Sequence, residues 1–418
     1  MTVGENQANP ATQETFSRLA TSVPFFAFLV APLGVAGQNI GLGVALLLFI
    51  TLTFVDRGRS LKSTLSSSVA QQFLILWMLI VLPITLTTVA KGDNHEARRF
   101  FWGYLYAGFI VIAGLSLRAM PIRRAVIFNT VVPLIGMMGL IALSQVLLGW
   151  KIEGIHIVDQ IKRAQGFYSH PLTFAYAALV LMPWCFARAM AKPKQWQSWV
   201  LLTSMLALTG ATQSITVTCV SGLIMLILMT RLLSMRQFMI TALVGVLLAG
   251  LTVTVPNPVQ KKFHEVLSGQ RSDRETPYPD DRMAFWHAHW EMIKEAPFTG
   301  HGTGMDSSDR QPYYEKIGLP HIKRMYEAHN MYLQYAAEGG IIAPLGLLAF
   351  LIWWGLRLRN GLKTESWYRL AMMLTPLAFA MGGLTQNAIQ DSEVRYILLL
   401  SCAVSLWFTK DNPQQALS

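Results

Sequence analysis

Between Arg282 and Gly340 the chain gathers most of the side chains that could handle a charged substrate. The stretch opens RMAFWHAHWEMIKEAPFTGHGTG, continues through polar residues and closes AHNMYLQYAAEGG. Arginine is permanently charged, and its planar fork can hold two oxygens of a phosphate at once. An imidazole titrates near neutral pH and can take a hydroxyl proton. Arg282, with Trp286 one turn later, and His329, with Glu327 before it and Asn330 after it, therefore suit proton transfer beside an anion. His329, Leu333, Ala337 and Gly340 recur at helical spacing, so the imidazole is expected to crown one face of a helix. A second group lies upstream, where Lys162 and Arg163 precede GFYSHP and His170 stands directly before Pro171. Proline is tolerated at the first position of a helix, and a helix N-terminus beside an arginine favours an anion. Arg98 and Arg99 close a third polar loop, KGDNHEARR, where snorkelling of long basic side chains is the simpler account.

The segments that position these residues are apolar. Of 418 residues, 53% are hydrophobic and 14% charged, and the mean hydropathy is +0.39. Runs long enough to cross a bilayer recur at 17–36, 38–54, 69–90, 100–117, 125–149, 171–190, 198–213, 214–230, 237–256, 331–356, 370–387 and 394–409. In a bilayer such runs must be helices, because every backbone N–H and C=O needs an internal partner. The expectation is an all-α polytopic membrane protein, a single integral membrane domain over 1–418 with about twelve transmembrane helices. One large helical loop, 257–329, is inserted before the His-Asn span. The division between 198–213 and 214–230 rests on nothing stronger than Thr212-Gln213-Ser214. Within the loop, Met283, Trp286, Trp290 and Ile293 at three- and four-residue spacing predict an amphipathic helix over 281–295. Arg282 shares a face with Trp286. Gly300, Gly302 and Gly304 then form a turn whose expected role is to return the chain to the membrane.

An even number of spans puts both termini on one side. The loops of that side carry Arg57, Arg59, Lys62, Arg118, Arg123, Arg124, Arg188, Lys192, Lys194, Arg231, Arg236, Arg357, Arg359, Lys363 and Arg369. The opposite short loops carry only Lys91, Arg98, Arg99, Lys151, Lys162, Arg163 and Arg395. The positive-inside rule makes both termini cytoplasmic and turns 257–329 outward. The first sixteen residues have no basic n-region and no clear cleavage site, so the first span is expected to be retained. All nine histidines, His95, His156, His170, His264, His287, His289, His301, His321 and His329, then fall in outward loops or at their edges. Chemistry is expected on the outer face.

Several classes of function are disfavoured. The net charge of +11 is partly accounted for by cytoplasmic anchors that meet anionic headgroups, and no soluble basic domain is offered to nucleic acid. Cys185, Cys219 and Cys402 lie within spans, which argues against a disulfide framework. His287 and His289 are two apart and point to different helix faces, unlike a zinc pair. No carboxylate spacing fits a hard cation, and neither a Walker motif, a dinucleotide fingerprint nor a Gly-x-Ser-x-Gly elbow occurs. The expectation is no metal, no cofactor and no use of ATP.

At these residues the chain resembles the O-antigen ligase family, which shares its C-terminal region with O-antigen polymerases and protein O-oligosaccharyltransferases. The likeness lies in Arg-x-x-Gly-Phe-x-x-His-Pro over 163–171, in Arg282-x-x-x-Trp286 before Ala-Pro-Phe-Thr-Gly-His-Gly at 296–302, and in His329-Asn330-x-Tyr-Leu followed by Glu338-Gly339-Gly340. The resemblance implies a GT-C-like membrane enzyme of the bacterial inner membrane, working on the periplasmic side. It would transfer a preassembled glycan from undecaprenyl diphosphate to lipid A–core, with membrane lipids around it. It further implies that Arg163 and Arg282 stabilise the diphosphate and that His329 is the general base. Direct displacement predicts inversion. His170, Lys162, Trp286, Asn330, Arg98 and Arg99 are the candidate substrate contacts. The sequence departs from the family pattern near Gln213-Ser214-Ile215-Thr216, where many relatives carry Ser-Arg, and at Ala343, where a further Gly is often seen.

Within the same chemistry the acceptor could be another lipid-linked glycan or a protein. A transporter of anionic solutes is the alternative of a different class. It would carry ionisable groups at mid-membrane and an internal repeat, and the spans show neither.

Overall fold

The computed structural model describes residues 10–29, 34–118, 120–150, 163–243, 281–322, 327–359 and 367–407. Lys162, most of the expected span 237–256 and the first part of the 257–329 loop lie outside the described residues. The described residues form helices and no strand. In chain order they are α1 (Pro10–Leu29), α2 (Gly34–Val55), α3 (Arg59–Leu65), α4 (Ser68–Ala90), α5 (Asn94–Leu117), α6 (Arg124–Leu147), α7 (Pro171–Ala191), α8 (Trp196–Thr212), α9 (Ile215–Leu232), α10 (Asp281–Glu295), α11 (Ser307–Lys316), α12 (Met331–Gly339), α13 (Ile342–Arg357), α14 (Trp367–Gly382) and α15 (Ser392–Trp407). Among the described residues, six stretches are long and apolar enough to cross a membrane: Gly34–Val55, Ser68–Ala90, Asn94–Leu117, Asn129–Leu147, Pro171–Ala191 and Ile215–Leu232. Helices of this number and apolarity make the chain a multi-pass membrane protein.

Local sequence sets the helix ends. Asp93 caps α5 by accepting the Glu96 N–H at 2.9 Å, and Asp306 and Asp309 form a reciprocal capping box at the start of α11. The division between 198–213 and 214–230 falls where Thr212-Gln213-Ser214 marked it. Gln213 turns left-handed with φ 50, and the Ser214 hydroxyl caps α9.

Packing places α7 at the centre, against α8, α9, α14 and α15, and it is the most buried of the six candidate spans. Around it α6 lies on α8, α13 on α4, and α15 on α5. Small residues permit the close crossings: at Gly139 of α6 an added Cβ would stand 2.7 Å from the Ser204 Cβ of α8. The N-terminus of the central helix, with His170 as its cap, therefore opens at one end of the bundle.

The span expected over 331–356 is not one helix. It breaks at Gly340, whose φ of +66 a residue with a Cβ would adopt only under strain, and where that Cβ would run into the Phe298 carbonyl. The Gly-rich turn after α10 fills the break. His301 N–H bonds Ala337 O at 2.7 Å, Gly302 N–H bonds Glu338 O at 2.8 Å, and Ile341 N–H bonds Pro297 O at 2.9 Å. The first two donors satisfy carbonyls that the end of α12 leaves unpaired, and the third ties the start of α13 back to the turn. The same turn is pinned to the end of α4, where Thr303 N–H donates to Thr88 Oγ1 at 3.0 Å and the Thr87 hydroxyl to Thr299 O. The glycines thus return α10 to the bundle, as their position suggested.

Gly340→Ala is expected to destabilise the protein by about 2 kcal/mol or more through backbone strain and collision. Gly43→Ala, whose added Cβ meets nothing within 4 Å, should leave the melting temperature unchanged. Thermal unfolding of both variants in detergent checks the pair.

Candidate functional site

Arg163 enters the site along the C-terminus of α8. Its Nε donates to Thr212 O at 2.6 Å, and the next residue's N–H, that of Ala164, bonds Ala211 O at 2.9 Å. The guanidinium thereby sits where the helix dipole favours a cation. Gln145 of α6 fixes the following turn. Its Oε1 accepts from Gln165 N–H at 3.0 Å and Gly166 N–H at 2.9 Å, and its Nε2 donates to Gly166 O at 3.2 Å. Gly166 has φ +59, and a Cβ there would strike the Phe174 ring.

The turn ends at His170, which caps α7. Its Nδ1 accepts the Leu172 N–H at 3.1 Å, so the neutral ring carries its proton on Nε2 as a donor. Burial, then the charges of Arg163 and His329, hold this imidazole below its ordinary pKa. Arg163 is itself lowered, by burial and then by the charge of Arg282. Arg282 stands in the first turn of α10, and its charge also reaches the Tyr176 hydroxyl of α7. The structure therefore brings Arg163, Arg282, His170 and His329 into one electrostatic neighbourhood. Two half-buried guanidiniums held near each other favour an anion between them.

His329 does not crown a helix. It precedes the Asn330 cap of α12 and has left-handed backbone, φ 47. This conformation is uncommon for a residue with a Cβ and is maintained only where neighbours enforce it. Here the neighbours are explicit. Asn330 Oδ1 accepts from Tyr332 N–H at 3.0 Å and Leu333 N–H at 3.1 Å, and its Nδ2 donates to Leu384 O at 3.0 Å. The Met331 N–H bonds Gly383 O at 2.8 Å. The His329 Nδ1–H donates to Gln386 Oε1 at 3.1 Å, which puts the ring's lone pair on Nε2. The Phe285 ring of α10 lies 5.8 Å away, centroid to centroid.

Other expected contacts are distributed differently. Asn330 commits its polar atoms to holding the turn. Trp286 is half-buried with its indole N–H shut away from solvent, and it does share the α10 face begun by Arg282. Arg98 and Arg99 are exposed on α5 and bond within that helix, Arg98 Nε to Asn94 O at 3.1 Å and Arg99 Nη1 to Glu96 at 3.3 Å. Lys162 lies outside the described residues.

The loop between α14 and α15 went unread, because the expected span 370–387 ran through its first half. It supplies Gln386 to His329. Its Thr385 hydroxyl donates to Thr216 Oγ1 of α9 at 2.7 Å, and Asp391 Oδ2 accepts from the Thr173 hydroxyl of α7 at 2.7 Å. Burial, joined by the nearby charges of Glu393 and Glu327, raises the Asp391 carboxyl to about 7 despite the Thr173 bond. Arg395 closes the loop, donating to Ile389 O at 3.1 Å and Gln390 O at 3.2 Å while lying 4.0 Å over the Tyr104 ring. The run of polar residues Thr385, Gln386, Asn387, Gln390 and Asp391 was the available signal.

Residues 198–351, from α8 into α13, match the family model described as O-antigen ligase. This is the family that the motifs resemble, and its members are glycosyltransferase-like ligases and polymerases. The matched stretch holds Arg282, Trp286, His329 and Asn330, whereas Arg163, His170 and Gln386 lie outside it. No curated protein matches the chain.

Beneath His329, the buried His289 of α10 donates from Nδ1 to Phe285 O at 2.8 Å, and burial lowers its pKa to about 4. Its folded value lies below the unfolded one, so the stability it supports is full above about pH 6.5 and is lost as pH falls toward 4. The loss amounts to about 3 kcal/mol at pH 4. Asp391 acts with the opposite sign, so the test is differential. Between pH 6.5 and 4, wild type should lose stability relative to His289→Gln in parallel melts, and equal slopes would contradict the assignment.

Proposed function

We propose that this protein is an O-antigen ligase that moves a preassembled glycan from undecaprenyl diphosphate to a hydroxyl of lipid A–core. The observation that carries the proposal is that Arg163, held by the Thr212 carbonyl at the end of α8, lies within reach of the Arg282 charge and beside the imidazoles of His170 and His329. The chain would lie in the bacterial inner membrane with about twelve spans and both termini cytoplasmic, and the site would face the periplasm.

The chemistry follows from charge. The acceptor hydroxyl oxygen attacks the anomeric carbon while the bond from that carbon to the diphosphate oxygen breaks, inverting the centre. Negative charge grows on the departing lipid diphosphate, and the guanidinium N–H groups of Arg282 and those Arg163 keeps beyond its Nε bond to Thr212 O can take it up in the transition state. The His170 Nε2–H adds a neutral donor. His329 accepts the hydroxyl proton at Nε2. Neither a nucleotide nor a metal is required by these roles. Lys162 adds a further cation near Arg163 in sequence, and Arg98 and Arg99 suit the rim where anionic headgroups gather. The match over 198–351 supports transfer of a lipid-linked glycan, and the same residues would serve polymerisation or transfer to protein equally well.

Purified protein with undecaprenyl-diphosphate glycan and glycan-free lipid A–core, assayed with a chelator, tests the proposal. Glycan on lipid A–core is the expected product, and chain growth on the lipid-linked glycan would instead make the protein a polymerase. Removing a positioned base costs roughly 10²–10⁴ in rate, so His329→Ala should lose nearly all transfer while melting like wild type. Unimpaired turnover by that variant would remove His329 from the mechanism.

A further inference from the structure

We infer that Gln386 is a positioning residue for His329, setting which ring nitrogen faces the acceptor hydroxyl. The inference rests on the reading of His329 as base and goes beyond it by assigning the group that makes the imidazole a base at Nε2.

An imidazole can carry its proton on either nitrogen, and only the unprotonated one can accept another. In an isolated ring the two neutral forms differ little, so a neighbour decides. Here the decision comes from a side-chain oxygen with no proton to give: Gln386 Oε1 lies 3.1 Å from His329 Nδ1, and Gln386 is buried. The amide oxygen only accepts, so Nδ1 holds the hydrogen and Nε2 the lone pair. A neutral amide does this without adding a counter-charge, so the imidazolium formed during transfer is not trapped by a carboxylate partner.

The loop that carries Gln386 is held at both sides of the site. Gly383 and Leu384 accept from Met331 and Asn330, the residues directly after His329, so the Gln and the His cannot drift apart independently. At the other end Asp391 is tied to Thr173, three residues after His170, and Arg395 gathers the carbonyls of Ile389 and Gln390. The loop therefore links the imidazole to the N-terminus of α7. The titratable and charged groups sharing its surroundings are Glu327 beside it in the chain, Arg163 before α7, His170 at the start of α7, and Arg282 and His289 from α10.

The test uses full-length protein in lipid nanodiscs, labelled with ¹⁵N-histidine, with His329→Ala to assign the His329 ring signals. Wild type should show the Nδ1–H form. Gln386→Leu should shift signal toward Nε2–H and lower kcat by at least about tenfold with the donor KM unchanged, as expected when a base is offered in the wrong tautomer. Gln386→Glu keeps an acceptor at Nδ1 and adds a charge. It should restore most of kcat and move the acidic limb of the rate profile upward by about one pH unit. Gln386→Glu also serves if the leucine variant fails to fold. An Nε2–H signal in wild type would overturn the inference, as would a leucine variant with wild-type kcat and tautomer. A variant that loses rate and donor affinity together while keeping the Nδ1–H form would show a structural role only, and would overturn it as well. Normal transfer by His329→Ala would instead defeat the base reading, and the tautomer signal keeps the two failures apart.

Discussion

Within a membrane, a helix that stops leaves carbonyls and N–H groups that water cannot reach, and each must find a partner in the protein. This constraint shapes the working end of the bundle. The chain breaks there at Gln213, at His329 and at Gly340, and every break is covered by a neighbouring segment rather than by solvent. Arg163 and Ala164 take the carbonyls ending α8, the 297–304 turn takes those ending α12, and the α14–α15 loop receives the donors around Asn330. The residues that do the covering are the residues that carry charge, or stand beside those that do. Backbone satisfaction and site construction are one arrangement seen from two sides.

The electrostatics depend on this frame. Burial lowers the pKa of Arg163 first and the charge of Arg282 lowers it further, so packing holds the two guanidiniums against their repulsion. Arg163 is anchored by a carbonyl at a helix C-terminus, and Arg282 by a helix whose far end is locked to α4 and α12. The His170 imidazole feels burial first and then the charges of Arg163 and His329, and all three lower its pKa.

Much of this was legible from residue types. The apolar runs gave helices, the Met283 to Ile293 spacing gave α10 with its ends, and His170 before Pro171 gave the cap of α7. The weak signal at Gln213 proved to be a true boundary. Two features were hidden. The break at Gly340 sits among Ala336, Ala337, Ile341 and Ile342, whose apolarity masks a change of direction, and Glu338 with the Gly339-Gly340 pair was the signal that the segment is not an ordinary span. The α14–α15 loop was absorbed into an apolar run because its chemistry is carried by uncharged amides, which hydropathy scarcely distinguishes from a helix end. What the spacing of residues could not convey was that segments more than 150 positions apart meet, since that depends on how the helices pack around α7.

That meeting has a consequence for the order in which the protein is made. The site draws on 163–170, on α10, on His329 and on a loop that precedes the final helix. A nascent chain extended to the end of α13 already holds both arginines and the imidazole, yet lacks Gly383, Leu384 and Gln386, the partners that tie the turn at Asn330 to the α14–α15 loop. Synthesis must pass Arg395 before the loop closes on its own carbonyls. The site is therefore completed late, on insertion of the last helical pair, and a chain halted earlier presents charges without the loop that fixes them.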